Sequence, residues 1–427
     1  MTTHIRQAAL LAIATTLLGA VAGCGGPHPH PQDRHRDSGK DDAAAQSAPS
    51  RSLHQRPFTL AATGDILSHD SVIRQARTDA GGSGYDFREM LSGAKSVASG
   101  ADLAICHMET VYGASNGPFT GYPAFKTPPD VAAGIKDTGY ESCSAASNHT
   151  MDDGVEGVRR TLTAMDEAGL KHAGSARSAQ QRTRPTLMKA GGATVAQLAY
   201  TYGTNGIPVP KKKKWAVNLI EPKRIIDDAR AARRAGADIV VASLHWGTEW
   251  QEAPDKQQKA LAKQLTGSRY KGRKDIDLII GTHAHVPQAY EKVNGTWVVY
   301  GMGDQLAGKM NDPRGAMSSA ARFTFVPPKA GKAGKGGKGG KGGKAAHAKT
   351  AKAEGAKDAK AAKDGEWSVK KAEFIPFFVQ TSPRISVVNL SSPAARAGGV
   401  GRAEAYSKIK KAVLSRGAAE QGLRMGH

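Results

Sequence analysis

From Phe58 onward the chain repeats one pattern: a short apolar run closed by Gly, Asp or His, then a longer stretch with helical spacing. Short apolar or alternating runs describe strands, whereas apolar residues three and four apart describe amphipathic helices. FTLAATGD (58–65), DLAICHME (102–109) and YESCSAASNH (140–149) are the first strands, and VEGVRRTLTAMDEAG (155–169) is a helix. TVAQLAYTY (194–202), DIVVASLHW (238–246), DLIIGTHAH (277–285) and TWVVYGMGD (296–304) continue the series. EPKRIIDDARAARRAG (221–236) is a second helix, with Gly236 as its stop. Strands separated by helices bury a sheet between helical layers, so the expected fold class is α/β. Ligands in such folds gather where strand ends meet loops.

The later part is richer in strands: ARFTFVP (321–327), WSVKKAEFIPFFVQ (367–380) and PRISVVNL (383–390). Between the first two, residues 327–366 carry 11 lysines against four acidic residues, and lysine occupies every third position from Lys329 to Lys344. Glycine and charge at this density cannot bury a core. The expectation is a disordered lysine/glycine-rich loop inserted between two antiparallel partners of one domain. Proline is absent between Lys329 and Lys344, which excludes collagen. The segment contributes to a formal net charge of +22. A flexible polycation suits an anionic polymer such as teichoic acid, nucleic acid or a polyglutamate, and a surface loop without a ligand is the alternative.

The amino-terminal end has a different character. Arg6 precedes an apolar run from Ala8 to Ala22, too short to span a bilayer comfortably, which reads as the core of a secretory signal. Val21-Ala22-Gly23-Cys24 resembles the bacterial lipoprotein cleavage box, which implies a lipid on Cys24; an ordinary signal with a chance cysteine is the alternative. Residues 25–57 have few large apolar side chains and read as a disordered tether. The expected organisation is a signal at 1–24, a tether at 25–57, one domain at 58–390 and a C-terminal helical tail at 391–427. Beyond Cys24 only Cys106 and Cys143 remain, so the fold is not disulfide-built. Two buried thiols are the default for that pair, and a disulfide is the alternative.

The chemistry lies in what closes each strand. Gly64-Asp65, His107-Met108-Glu109, Asn148-His149 with Asp152, His245-Trp246-Gly247 and Gly281-Thr282-His283-Ala284-His285 all fall at such ends. Singly, a strand-end Asp is often a helix cap and a lone His a satisfied ring. Together they supply carboxylate and amide oxygens with imidazole nitrogens, the donors that divalent ions take. Two neighbouring ions would need a bridging carboxylate. Alternation along a strand would let both rings of the H-x-H pair reach one site.

GDILSHD, HMET, SNHTMDDG, LHWGTEW, GTHAHVPQ and YGMGD occur in the order seen in the CapA-type capsule-synthesis (poly-γ-glutamate biosynthesis) family, which this chain resembles from about Thr59 to Leu390. That family is similar in fold to calcineurin-like metallophosphoesterases, so the resemblance implies a two-sheet αββα sandwich. It also implies roles. Asp65 would be the first metal ligand and Glu109 the bridging carboxylate; Asn148, His245 and His283 would complete one metal, and His285 would serve the other. His149 would give a proton to the leaving group, while Asp152 either orients it or caps the next helix. One or two divalent ions are implied, with Mn, Fe, Zn and Mg not distinguished, acting as Lewis acids and lowering the pKa of a bound water.

Three positions depart from the pattern. Leu67 stands where calcineurin-like enzymes carry a histidine, with His69 as a weak substitute; Glu109 replaces an Asp, and His107 stands where Asn is common. The implied protein is a lipid-anchored, extracytoplasmic factor that builds, anchors or remodels an anionic capsule polymer. Its expected partners are poly-γ-glutamate or a cell-wall polyanion, the membrane through its lipid, and a capsule synthase complex; nucleic acid is not expected. The alternative is a non-catalytic polyanion-binding assembly factor with a vestigial metal site.

Overall fold

The computed structural model describes residues 55–328 and 365–427. The expected signal with Cys24, all but the last residues of the tether, and the lysine-rich insertion from 329 to 364 lie outside the described residues.

The chain lays down one sheet, builds a second, and returns to the first. Strands β1 (Phe58–Ile66), β2 (Leu103–Met108), β3 (Ser142–Ser144) and β4 (Lys171–Ala173) are parallel neighbours in that order. β5 (Thr186–Ala190) and β6 (Ala193–Thr201) open the second sheet, which β7 (Ile239–His245) joins; a small hairpin of β8 (Arg269–Tyr270) and β9 (Arg273–Lys274) stands apart. β10 (Leu278–Thr282), β11 (Tyr290–Val293) and β12 (Thr296–Val299) complete the order β11-β12-β10-β7-β6-β5. β13 (Asp304–Leu306) then pairs in parallel with β1, and β14 (Met317–Val326), β15 (Ser368–Gln380) and β16 (Ser386–Asn389) extend the first sheet beyond it. β14 and β15 pair antiparallel from Met317↔Phe378 to Val326↔Ser368, so the lysine-rich segment connects two adjacent strands.

Alternation along the strands creates the layers. Leu60 and Ala62 of β1, Leu103 and Ile105 of β2, Ile239 and Val241 of β7, and Leu278 and Ile280 of β10 face one core between the sheets. The intervening residues face outward. Ala61, Ala104 and Cys106 meet Val72, Ile135 and Leu162 on the outside of the first sheet, while Val240, Ala242 and Ile279 meet Ile225, Ala229 and Leu265 on the outside of the second. A sheet covered on both faces needs near-continuous apolar strands, as these are. The result is the expected αββα sandwich. The covering helices are built from local signals: Pro222 starts Pro222–Arg234, and a capping box of Asp255 and Gln258 starts Lys256–Gly267.

Three expectations are corrected. The strand read over 140–149 is only Ser142–Ser144, because the side chains of Ser147 and Thr150 take over the backbone bonding. Thr150 Oγ1 accepts from the Ser147 amide at 2.8 Å and Ser147 Oγ from the His149 amide at 3.0 Å, bending the chain over the strand end. The C-terminal segment is helical over Pro393–Ala397 and Arg402–Leu414, but it is not a tail. Ala405, Ile409 and Val413, spaced by four, bury into the inter-sheet core, and β17 (Leu423–Met425) adds to β15. Finally, Cys106 and Cys143 are register partners on β2 and β3, with Cα atoms 4.4 Å apart and the sulfurs joined in a disulfide.

Candidate metal centre

Parallel strands bring their carboxyl ends to one edge, and this is what assembles the site. Asp65 on β1 is in register with His107 on β2 and with Asp304 on β13. In the other sheet His245 closes β7 opposite Thr282 of β10. The sheets meet where the His283 amide donates to Asp65 Oδ2 at 3.0 Å. Two glycines permit this closeness. A Cβ on Gly64 would collide with the Gly303 carbonyl, and one on Gly281 with the Tyr300 carbonyl and the Trp246 indole nitrogen.

The H-x-H pair converges for a reason other than strand alternation. β10 ends at Thr282, and His283 (φ 94°) and His285 (φ 55°) both lie in the left-handed region. Each such residue costs about 1–3 kcal/mol, a strain tolerated where surrounding structure holds it and concentrated at functional sites. Trp250 shares the feature, at φ 65°, with its ring 5.4 Å from His285. The His283 and His285 rings end 6.0 Å apart.

Carboxyl groups occupy the middle of the cluster. Asp65 Oδ1 lies 3.6 Å from His107 Nε2 and 3.9 Å from His245 Nδ1. Glu109 Oε1 lies 3.8 Å from His245 Nε2 and 3.9 Å from His285 Nε2, between the two sides of the cluster. Asn148 Oδ1 meets His245 Nε2 at 2.8 Å, and Asp304 Oδ1 meets His285 Nδ1 at 2.8 Å. Yet Asp65 Oδ1, both oxygens of Glu109, Asp304 Oδ2, His107 Nε2 and His283 Nδ1 are buried with no hydrogen-bond partner among the described residues.

Burial sets the protonation states. It pushes the Asp65 carboxyl up to about 7, with Asp304 adding to the rise and His285 opposing it. Glu109 rises well above the carboxylate range, first through burial and then through Asp65. Burial lowers His107 and His283 to about 3 and drives His245 well down, where neighbouring imidazoles add to the effect. His285 goes the other way: burial disfavours its charge, but Asp304, Glu109 and Asp65 outweigh it and raise it well above the usual value.

His149 and Asp152 form a separate pair at the edge. Asp152 Oδ2 meets His149 Nδ1 at 2.7 Å and also accepts from the Phe125 amide at 2.8 Å. Asp152 is therefore not the helix cap: the residue before helix Gly154–Glu167 is Asp153, which makes no capping bond. Phe125 packs edge-on against both His149 and His69, at 4.7 and 5.3 Å. His69 thus borders the same region, its charge disfavoured first by burial and supported by Asp304.

Asp65, Glu109, Asn148, His245, His283 and His285 are accordingly one buried assembly, with His149 and Asp152 on its flank. Three further residues belong beside them. Sets of donor atoms within 4.8 Å of one another are formed by Asp65, His107 and His245; by Asp65, His285 and Asp304; and by Glu249, His283 and His285. His107 was legible only as a departure from a family pattern. Asp304 closes the YGMGD run, a strand-end acid whose place beside Asp65 follows from a pairing between distant parts of the chain. Glu249, in the LHWGTEW run, is exposed and gave no separate signal. The donor set fits a divalent cation: buried carboxyl oxygens without donors face unprotonated imidazole nitrogens, an arrangement that a bound cation completes.

Fold and side chains together define an αββα protein with a rim of acids, amide and imidazoles where its parallel strands end. A profile of the bacterial capsule synthesis protein PGA_cap family matches residues 59–309, and the chain belongs to that family. It is 30% identical over 171 residues to the PGA biosynthesis protein CapA of Bacillus subtilis (strain 168), covering 40% of this chain and 43% of that protein. It is 27% identical over 173 residues to the capsule biosynthesis protein CapA of Bacillus anthracis, covering 40% and 41%. The chain thus spans less than half the length of each of these relatives. Among solved structures, the calcineurin-like phosphoesterase YfkN from Bacillus subtilis aligns with a TM-score of 0.40 at 14% identity, over 84% of this chain and 98% of that one.

Proposed function

We propose that the chain carries a divalent-metal hydrolase or transferase centre that acts in the synthesis, anchoring or remodelling of an anionic capsule polymer. Poly-γ-glutamate is the expected polymer, since the relatives named for capsule and PGA biosynthesis share this domain. One observation carries the reading: buried Asp65, Glu109 and Asp304 hold oxygens without donors among the imidazoles of His107, His245, His283 and His285. Asp65, Glu109, Asn148, His245, His283 and His285 would hold one or two divalent ions, with His107 and Asp304 as further holders. A bound ion supplies Lewis acidity toward a phosphoryl or carbonyl oxygen.

The chain's own residues do the rest. Glu109, within 4 Å of imidazoles from both sides, is placed to be shared between two ions. Asp152 fixes His149 through Nδ1, which leaves Nε2 to deliver a proton to the leaving group. The Phe125 amide fixes Asp152 in turn. We place the protein outside the cell, anchored by a lipid on Cys24, with a capsule synthase complex as its partner.

Purified full-length protein should turn over a phosphodiester or a polyglutamate when a divalent ion is supplied, and His149→Ala should remove that turnover while leaving bound metal unchanged. Loss of neither on His149→Ala and His283→Ala would end the enzymatic reading. A second reading, a polyanion-binding assembly factor, rests on the lysine-rich segment. It predicts salt-sensitive polyanion binding that disappears when Lys329 to Lys363 are deleted.

A further inference from the structure

A second cavity, of about 300 Å³, opens beside β4, β5 and β6 and shares no lining residue with the metal centre. Its volume is about ten times one water's share of the liquid, so it is large enough for part of a ligand. The short helix Ala179–Arg182 carries Arg182 into its wall, and His172, Asn218, Tyr200 and Asp228 complete the polar lining. The side chains of Arg182 and His172 are only 10% and 8% exposed.

These buried groups are incompletely paired, and in a complementary way. Arg182 Nε and Nη2 have no hydrogen-bond partner among the described residues. They form one edge of the guanidinium, spaced to meet the two oxygens of a single carboxylate or phosphate. The nearest acid, Asp228, lies 3.6 Å from Nη2 but accepts its hydrogen bond from Tyr200 Oη at 2.9 Å, and it also faces Arg224 at 3.9 Å. Two acceptors in the same wall are also without donors, Asn218 Oδ1 and His172 Nδ1. Asn218 spends its amide nitrogen on the Ala199 carbonyl, and His172 Nε2 lies 3.2 Å from Asp166 Oδ1. A matching ligand therefore brings two anionic oxygens to Arg182 and an N–H donor to Asn218 or His172. Inorganic phosphate at neutral pH is mainly an acceptor and serves only the first need; a carboxylate next to an amide serves both.

We propose that this cavity is a binding subsite for a carboxylate-bearing amide, with Arg182 gripping the carboxylate and Asn218 and His172 accepting the amide N–H. The class of ligand stands on the cavity alone, whereas the choice of a γ-glutamyl chain as its natural form rests on the proposed function.

The test is calorimetric titration of the full-length protein in 0.15 M salt (roughly the physiological strength) with a chelator present, so that no bound metal contributes. The probes are a γ-glutamyl tripeptide, N-acetylalanine and inorganic phosphate. The tripeptide or N-acetylalanine should bind, and Arg182→Gln should weaken binding at least tenfold while leaving the thermal midpoint within a few degrees. Dependence on one arginine separates this cavity from the many surface lysines. If Arg182→Gln does not fold, Asn218→Ala provides the second arm, with a severalfold loss expected. N-acetylalanine binding without tripeptide binding would uphold the subsite and count against the γ-glutamyl polymer. Equal binding by wild type and the folded variants, no binding of either amide, or tighter binding of phosphate would overturn the proposal.

Discussion

Replacing Asp65 with Asn should stabilise the metal-free protein at alkaline pH while ending its response to metal. Asp65 is wholly buried, and Oδ1 has imidazole nitrogens at 3.6 and 3.9 Å without a hydrogen bond. Burial, reinforced by Asp304 and opposed by His285, pushes its carboxyl from the ordinary 3.8 up to about 7. Because the folded value lies above the unfolded one, the folded chain holds the proton more tightly. The resulting stability is fully present below the unfolded value and is lost as pH rises through 7. At ~1.4 kcal/mol per unit, the shift of roughly three units amounts to about 4 kcal/mol at most. Urea unfolding in chelator should therefore show little difference between wild type and Asp65→Asn at pH 4, and a variant more stable by up to about 4 kcal/mol at pH 8. With a divalent ion at a hundred times its Kd, wild type should regain about 2.7 kcal/mol and the variant little. A variant less stable than wild type in chelator at pH 8 would refute the reasoning.

Other outcomes follow from the same geometry. His149→Ala should lower turnover by ~10²–10⁴-fold with metal content unchanged, and Asp152→Asn should lower it less, because it disturbs the ring's orientation but leaves the ring in place; steady-state rates alongside elemental analysis check both. Gly281→Ala, whose Cβ meets the Tyr300 carbonyl, should cost about 1–3 kcal/mol in urea unfolding and reduce metal occupancy by displacing the His283 turn. Ile409→Ala should cost about 2–5 kcal/mol, and truncation before Ser391 should yield insoluble protein, since the C-terminal helix is part of the inter-sheet core.

The sandwich and most of its rim were legible because both depend on local pattern. Alternation in β1, β2, β7 and β10 marks two covered faces, and Gly64-Asp65 or Gly281-Thr282-His283 marks where each strand must stop. Asp304 was quoted in its motif but had no role, because its value comes from register with Asp65 on a strand from a distant part of the chain. The left-handed backbone at His283 and His285 runs against what those residues favour locally, so tertiary contacts impose it. Asp152 could be read as cap or orienter until the Phe125 amide and the His149 ring were both placed against it. The C-terminal helix carries its buried stripe as Ala405, Ile409 and Val413, too short a signal to reveal the sheet core it meets.

The central claim is that the acids and imidazoles at the strand ends hold a divalent ion. Elemental analysis by mass spectrometry, on full-length protein stripped with chelator and re-equilibrated with Mn, Fe, Zn or Mg, measures this directly when paired with an Asp65→Asn/His245→Ala double variant. One or two ions per wild-type chain, absent from a folded double variant, is the predicted result. A wild-type chain that retains none of these ions, or a double variant that retains as many, would contradict it.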